Sequence, residues 1–473
     1  MKKIFKYRKS SKSFIFDLQE NRKVYLRDLN VKSNDFEKKV PKYKKSVILF
    51  SENSLDFIIS YFCLIQNNFV VFLVNIDISN EDINRLISNF KPNYICYPKR
   101  QNVITKLIKQ KKYSFGSYDL FLLNSSKLSL NEEICLLLPT SGSTGESKFV
   151  KLTYKNIVSN VKKIINYLKI SNQDKTITTL PPEYSYGLSI INTHIFKGAS
   201  IFINKKSIIE KSFWENIKKF NINSFGGVPF TYEILKKLKL DSKLKKIKSI
   251  KYLTQAGGKL SNELQSYINS ISKKYKFKFY VMYGSTEASP RMSILLSGKS
   301  QKLGSIGKPL KGCFFYLKKK NKIVKKAFVK GDLYFVGDNI YGGYASRIDE
   351  LKYIKKFKYL KTGDIAYFDK QNDFYIQGRS DRIIKLKGIR LELDNLEKEF
   401  GKRFLKEVKL VLYNETLKVF FIKKVNNMAE IKSKVSKLSN VHPSNIKIYV
   451  INKFPLTRSN KINYNNLKKF NER

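Results

Sequence analysis

The 473-residue chain sets 92 Lys and Arg against 38 Asp and Glu, a formal charge of +54, and its 42% hydrophobic content includes 34 Phe and 29 Tyr. That apolar content excludes disorder as the overall state, and the length predicts two or three domains. Only 13 of the basic residues are Arg, and the lysines run along the whole chain beside abundant Asn and Ile. An A/T-rich coding bias accounts for all three residue types, so no specific nucleic-acid footprint is expected, since such footprints cluster on one face.

The start, M-K-K-I-F-K-Y-R-K-S-S-K, is basic but lacks the apolar centre of a signal peptide. From Ser46 short β-branched runs alternate with helical segments. Val47–Phe50 reads as a strand, Asn53–Ile65 as a helix capped by Ser54, Phe69–Val74 as a strand, Ser79–Phe90 as a helix, and Tyr94–Cys96 as a strand. Phe57–Ile65 is the most apolar helical run, but Glu52, Asp56 and Gln66 bound it far short of a membrane span. Cys63, Cys96, Cys135 and Cys313 sit mostly in apolar runs without C-x-x-C spacing, as expected in a reducing compartment. A cytoplasmic protein with no membrane span is therefore expected. His194 and His442 are the only histidines, which excludes a His-based metal cluster.

After the apolar run Ile134–Leu138 comes T-S-G-S-T-G-E-S-K, Thr140 to Lys148. Gly142 and Gly145 let the backbone approach a ligand, while Ser141, Ser143 and Thr144 supply hydroxyls and Lys148 a cation. That chemistry suits a polyphosphate. It is not the common P-loop, because Ser147 and Phe149 stand where Gly and Ser or Thr would be needed. Strands follow at Thr176–Leu180, Ala199–Ile203, Tyr252–Leu253 and Phe277–Met282, with helices between. Alternation of this kind predicts helix-covered parallel sheets. After Gly304 short strands and turns indicate a β-rich subdomain at about 304–378 within an N-terminal domain of 1–378. The C-terminal domain, 379–473, is α+β, with strands at Lys409–Tyr413, Lys418–Ile422 and Ile446–Val450.

Four more segments carry chemistry: Y-G-S-T-E at 283–287, Y-L-K-T-G-D at 359–364, G-R-S-D-R-I-I-K-L-K-G from Gly378, and P-L-T-R-S-N-K at 455–461. Taken singly, T-G-D or G-R-S-D is a turn with a capped Asp, and Glu287 an acid at a helix start. Together they suit ATP. Glu287 can hold Mg²⁺, which favours carboxylate and phosphate oxygens. Thr286 can bond a phosphate and Tyr283 offers a flat face to a base. Asp364 can accept from both ribose hydroxyls, Arg379 can bond ribose or phosphate, and Lys461 can meet charge developing in a transition state.

In this order the motifs resemble the AMP-forming adenylating superfamily: acyl- and aryl-CoA synthetases, peptide-synthetase adenylation domains and beetle luciferases. The resemblance runs from about Val47 to Lys461 and includes G-G-V-P-F at 226–230, A-G-G-K-L at 256–260 and G-Y-A at 343–345. It implies that a small carboxylic acid and Mg-ATP give an acyl-adenylate and pyrophosphate, after which CoA or the phosphopantetheine of an acyl-carrier protein displaces AMP. It implies nucleotide contacts for Thr140, Ser141, Gly142, Ser143, Thr144, Gly145, Lys148, Gly257, Gly258, Tyr283, Gly284, Thr286, Asp364 and Arg379. Lys148, Thr286, Glu287 and Lys461 would be catalytic, Asp381 the hinge of a mobile C-terminal domain, and Gly388 part of the thiol channel. Ser147, Phe149 and Asn460 depart from the usual Pro, Gly and Gly.

The acid pocket falls on P-P-E-Y-S-Y-G-L-S-I. Tyr184 stands where acyl-CoA synthetases often place a gating aromatic or His. Gly187 stands where amino-acid-activating relatives carry an Asp, which disfavours an α-amino acid unless Glu183 substitutes. Gly226 and Gly227 are expected to leave room in the pocket wall.

Overall fold

A computed structural model describes residues 12–101, 108, 110–139, 148–300, 302–387, 389–404, 407–422, 427–457 and 461–470. Its contacts form two compact units, one of residues up to 315 with 335–360, the other of 316–334 with residues from 361. The β-rich stretch expected at about 304–378 is thus divided between them.

The larger unit holds two sheets. The first sets Lys45–Ser51, Phe69–Asn75, Tyr94–Pro98 and Ile134–Pro139 in parallel. Phe149–Thr153 then returns antiparallel to Ile134–Pro139, and the short strand Tyr344–Ala345 pairs beyond it. The second sets Lys278–Gly284, Tyr252–Gln255, Ser224–Gly227, Lys175–Ile177, Ser200–Ile203 and Phe14–Asp17 in parallel. Arg291–Leu296 runs antiparallel to Lys278–Gly284. One apolar layer joins facing sides of both sheets, including Val47, Leu49, Ile15 and Ile201, through the helices Leu55–Gln66, Tyr154–Leu168 and Ser185–Lys197. That position explains why Leu55–Ile65 is buried on every side rather than along a stripe. The outer faces are covered by Asn80–Phe90 on one sheet and by Lys211–Phe220 and Asn262–Lys274 on the other. The expected cap forms, Ser54 accepting from the Phe57 N–H, and Ser79 caps the next helix in the same way by accepting from the Asp82 N–H.

In the smaller unit Asp364–Phe368, of the strand Leu360–Phe368, and Phe374–Arg379 form a bulged hairpin. Ile383–Leu386 and Ile389–Glu392 form another. Val408–Tyr413, Thr416–Ile422 and Ile446–Ile451 make a three-stranded sheet whose apolar face packs with the helices Leu393–Phe404 and Met428–Ser439. Each expected C-terminal strand is present.

Candidate active site

Thr140, Ser141, Gly142, Ser143, Thr144 and Gly145 lie outside the described residues, as do Gly388 and Asn460. The frame of the hydroxyl-rich loop is nevertheless defined, because Pro139 and Phe149 pair across its base. Lys148 is exposed there. Phe149, the departure from the family's glycine, is 2% exposed and packs edge-on against Phe72 and Phe90, with ring centres 5.6 and 5.7 Å away. Its side chain anchors the first residue of the strand Phe149–Thr153.

The strand leaving that loop brings two other motifs beside it. Tyr344 pairs with Val150 in the sheet, and the Tyr344 hydroxyl donates to Glu287 Oε1 at 2.9 Å. The Glu287 carbonyl also accepts from the Tyr341 N–H at 2.8 Å. Burial and the adjacent Glu287 carboxylate raise the Tyr344 pKa, so its hydroxyl stays a donor. Thr286 stands 3.2 Å from the hydroxyl of Ser185, the first residue of the helix Ser185–Lys197. A half-buried carboxylate oriented by one phenol fits Mg²⁺, which needs few protein oxygens when phosphates and waters supply the rest. Among the described residues no three His, Cys, Asp or Glu side chains cluster as a resident metal centre.

Gly284 is obligatory for this turn, since a Cβ would lie 1.8 Å from the Pro290 carbonyl oxygen. Tyr283 packs against Phe315, ring centres 6.1 Å apart. Gly257 has φ +89°, and a Cβ there would meet the Tyr184 hydroxyl at 2.2 Å; at Gly258 it would meet Pro229 at 3.1 Å. Tyr184 and Gly257, expected in neighbouring subsites, are thus in contact.

The other glycines behave differently from expectation. At Gly187 a Cβ would meet the Pro181 carbonyl at 2.4 Å, so the position faces backbone and has no room for an Asp. The room left by Gly226 is filled by Ile190 and the Tyr186 hydroxyl, and that left by Gly227 by Thr231. Neither widens a pocket. Glu183 is committed elsewhere: Ser51 donates to one carboxylate oxygen at 2.8 Å and Asn75 to the other. It joins the ends of two parallel strands.

Within the smaller unit, Asp364 and Arg379 are paired in register, with Arg379 Nε 3.6 Å from Asp364 Oδ1. Gly363, at φ +78°, gives the bend that allows this. Arg379 Nε also lies 3.4 Å from Asp381, and the Arg379 N–H donates to Asp394 at 3.1 Å. Lys461 is exposed, its N–H donating to Thr457 Oγ1 at 3.1 Å while its carbonyl accepts from the Thr457 N–H at 2.7 Å.

Sequence reasoning did not single out Tyr344, Ser185 or the buried Lys151. The first two stand inside quoted motifs, G-Y-A and Y-S-Y-G-L-S, but their partners are 57 and 101 residues away.

The AMP-binding enzyme family matches residues 37–345. The oxalate–CoA ligase of Saccharomyces cerevisiae is 23% identical over 397 residues, 74% of this chain and 72% of that protein. A 2-succinylbenzoate–CoA ligase of Bacillus cereus is 28% identical over 353 residues, 72% of this chain and 69% of that one. The fold matches o-succinylbenzoate CoA synthetase from Bacillus subtilis in complex with its acyl-adenylate intermediate, with TM-score 0.76, 18% identity and coverage of 98% of this chain and 97% of that one. With Glu287, Tyr344 and the strand of the hydroxyl-rich loop brought together, the chain belongs to the AMP-binding enzyme family.

Proposed function

We propose that this protein is an AMP-forming acid–thiol ligase acting on a small non-amino carboxylic acid, with CoA as the thiol. The observation that carries the reading is the convergence of Glu287, Tyr344 and the Phe149–Thr153 strand, which puts the strand that follows the hydroxyl-rich segment beside an oriented carboxylate. The acid's carboxylate oxygen attacks the α-phosphorus of ATP and the bond to pyrophosphate breaks. Mg²⁺ held by Glu287 would neutralise charge on the phosphates. Thr286 and the loop hydroxyls position the phosphates, and Lys461 stabilises the developing charge. In the second step the thiol sulfur attacks the acyl carbon, the bond to AMP breaks, and the thiol proton passes to solvent. Asp364 and Arg379 hold the ribose, and a hinge at Asp381 exchanges the two steps. With Gly187 closed by the Pro181 carbonyl, an Asp to hold an α-ammonium group has no room at that position. A cytoplasmic location suits this chemistry, and among the described residues no helix is long and apolar enough to cross a membrane.

The test is acid-dependent pyrophosphate release from Mg-ATP across aliphatic, aryl, hydroxy and amino acids, with and without CoA, using hydroxylamine to trap the adenylate. Release that accelerates with CoA supports the reading. Adenylate untouched by CoA transfers the second step to a carrier protein. No release with any acid refutes catalysis.

A further inference from the structure

Lys151 is the middle residue of the strand Phe149–Thr153 and is only 1% exposed. Its neighbours Val150 and Leu152 belong to the apolar layer between the sheets, so by alternation Lys151 points to the opposite face, as Phe149 does. A lysine in such a place loses its hydration and is retained only where other groups satisfy its ammonium. Here the ammonium donates to the Glu350 carbonyl at 2.7 Å and to the Tyr353 carbonyl at 3.0 Å. It also lies 4.8 Å from the centre of the Tyr353 ring.

All of these partners belong to one loop, which Lys151 grips twice. Its main chain donates to the Gly343 carbonyl at 2.9 Å and accepts from the Gly342 N–H at 2.8 Å. Its side chain takes hold again further along, at Glu350 and Tyr353. Between the two grips the loop is tied to itself. The Lys355 N–H donates to the Gly342 carbonyl at 2.9 Å, and Glu350 Oε2 accepts from the Ser346 N–H at 2.6 Å and the Arg347 N–H at 3.3 Å. The rings of Tyr341 and Phe357 stack with centres 5.1 Å apart. Tyr344 stands in this loop, immediately before Ala345 and Ser346, and its hydroxyl is the one that donates to Glu287 Oε1. The Tyr341 N–H, which donates to the Glu287 carbonyl, opens it.

A chain of contacts therefore runs from the Lys151 ammonium to the Glu350 main chain, from the Glu350 carboxylate to Ser346, and along the strand to Tyr344. Resting on the acid–thiol ligase reading, we propose that Lys151 is a positioning residue for the Mg²⁺-binding carboxylate: it holds the loop that presents Tyr344 to Glu287. Lys45 supplies the contrast. It is equally buried, and its ammonium donates to the Tyr43 carbonyl at 2.9 Å and the Asn67 carbonyl at 3.4 Å. Yet it stands at the start of the strand Lys45–Ser51, the end of the parallel sheet opposite to the one where Pro139 leads into the hydroxyl-rich segment. One buried lysine secures the fold alone, and the other secures the fold and the site.

The experiment follows ATP binding by calorimetry across a series of Mg²⁺ concentrations, for wild type, Lys151→Met, Tyr344→Phe, the double variant and Lys45→Met. Lys151→Met keeps the length of the side chain and removes its donors. It should raise the Mg²⁺ concentration for half-maximal ATP binding by about 10-fold, as does loss of a group that orients a metal-binding carboxylate. Tyr344→Phe should do the same, and the double variant should add little, because both changes act through one oxygen of Glu287. Additive shifts, or a Mg²⁺ dependence unmoved in Lys151→Met, overturn the proposal. Lys45→Met should lower Tm and leave the Mg²⁺ dependence where it was. A shift as large as that of Lys151→Met would show that loss of any buried lysine suffices, and would overturn it too. Should Lys151→Met fail to fold, Lys151→Gln, which keeps donors on a shorter stem, should show part of the shift, and an unmoved Mg²⁺ dependence there overturns the proposal equally. Pyrophosphate release is measured on the same proteins. Linked shifts in ATP binding without release from any acid mean that the ligase reading fails while the role of Lys151 stands. Release with no shift in Lys151→Met means the reverse.

Discussion

The Tyr344 hydroxyl fixes one oxygen of Glu287, the carboxylate proposed to hold Mg²⁺. Groups that orient a metal-binding carboxylate typically contribute about 10- to 100-fold in metal affinity or activity. Tyr344→Phe should therefore raise the Mg²⁺ concentration needed for half-maximal pyrophosphate release by about 10-fold, with smaller change in the KM of the acid. A purely structural tyrosine would lower stability and leave the Mg²⁺ dependence unmoved. Lys461→Ala should slow adenylate formation by roughly 10²-fold, the effect of losing one transition-state donor. Thiolysis of a supplied acyl-adenylate should change much less, and equal losses in both steps would remove Lys461 from its role. His194 makes a pH prediction. Burial pushes its imidazole pKa from 6.5 down to about 4, although the Ile190 carbonyl opposes this. The unfolded chain then binds the extra proton first as pH falls, so stability is intact above about 6.5 and lost on the way down to about 4. Between pH 7 and 5 the loss should be on the order of 2 kcal/mol. His194→Asn should flatten the difference in urea midpoint between those two pH values, and an unchanged slope would place the loss on carboxylates.

The hydroxyl-rich loop depends on the two strands that hold it. Phe149 ends that loop inside a cluster with Phe72 and Phe90, so the sheet and the Asn80–Phe90 helix both grip the hairpin. Phe149→Ala should cost about 3 kcal/mol in chemical denaturation, the range for truncating a buried aromatic, and should weaken ATP binding as well. A loss below about 1 kcal/mol would mean that the cluster collapses around the gap. The elements themselves were largely legible. Runs such as Phe69–Val74 are buried on both sides and read as continuous apolar stretches, and Ser54 and Ser79 announce their helices by side-chain chemistry. The strand Phe14–Asp17 was not legible, because it pairs with Ser200–Ile203, which no local pattern encodes. The candidate site divides in the same way. Asp364, Arg379, Thr286 and Glu287 stand in recognisable motifs. The contents of the space beside Gly226 and Gly227 and the partners of Lys151 depend on what distant elements place there.

Across the molecule, charge is the property that sequence and structure both leave in excess. The lysines are mostly exposed, and the ion pairs they make, such as Lys211 with Glu215 or Lys352 with Asp349, are surface pairs. Such pairs contribute little, typically about 0–1 kcal/mol each, so they cannot balance a net charge of +54. Like charges spread over a compact surface repel, and salt shortens their reach from about 30 Å at 0.01 M to about 10 Å at 0.1 M. Raising salt from 0.01 to 0.2 M should therefore raise Tm, the reverse of what a fold dependent on surface ion pairs would show. Retention on heparin should weaken steeply over the same range, because non-specific binding to polyanions is driven by counterion release. Retention that survived physiological salt and selected one nucleic-acid sequence would overturn the coding-bias account of the charge. A Tm that fell with salt would show that attractive pairs outweigh the repulsion.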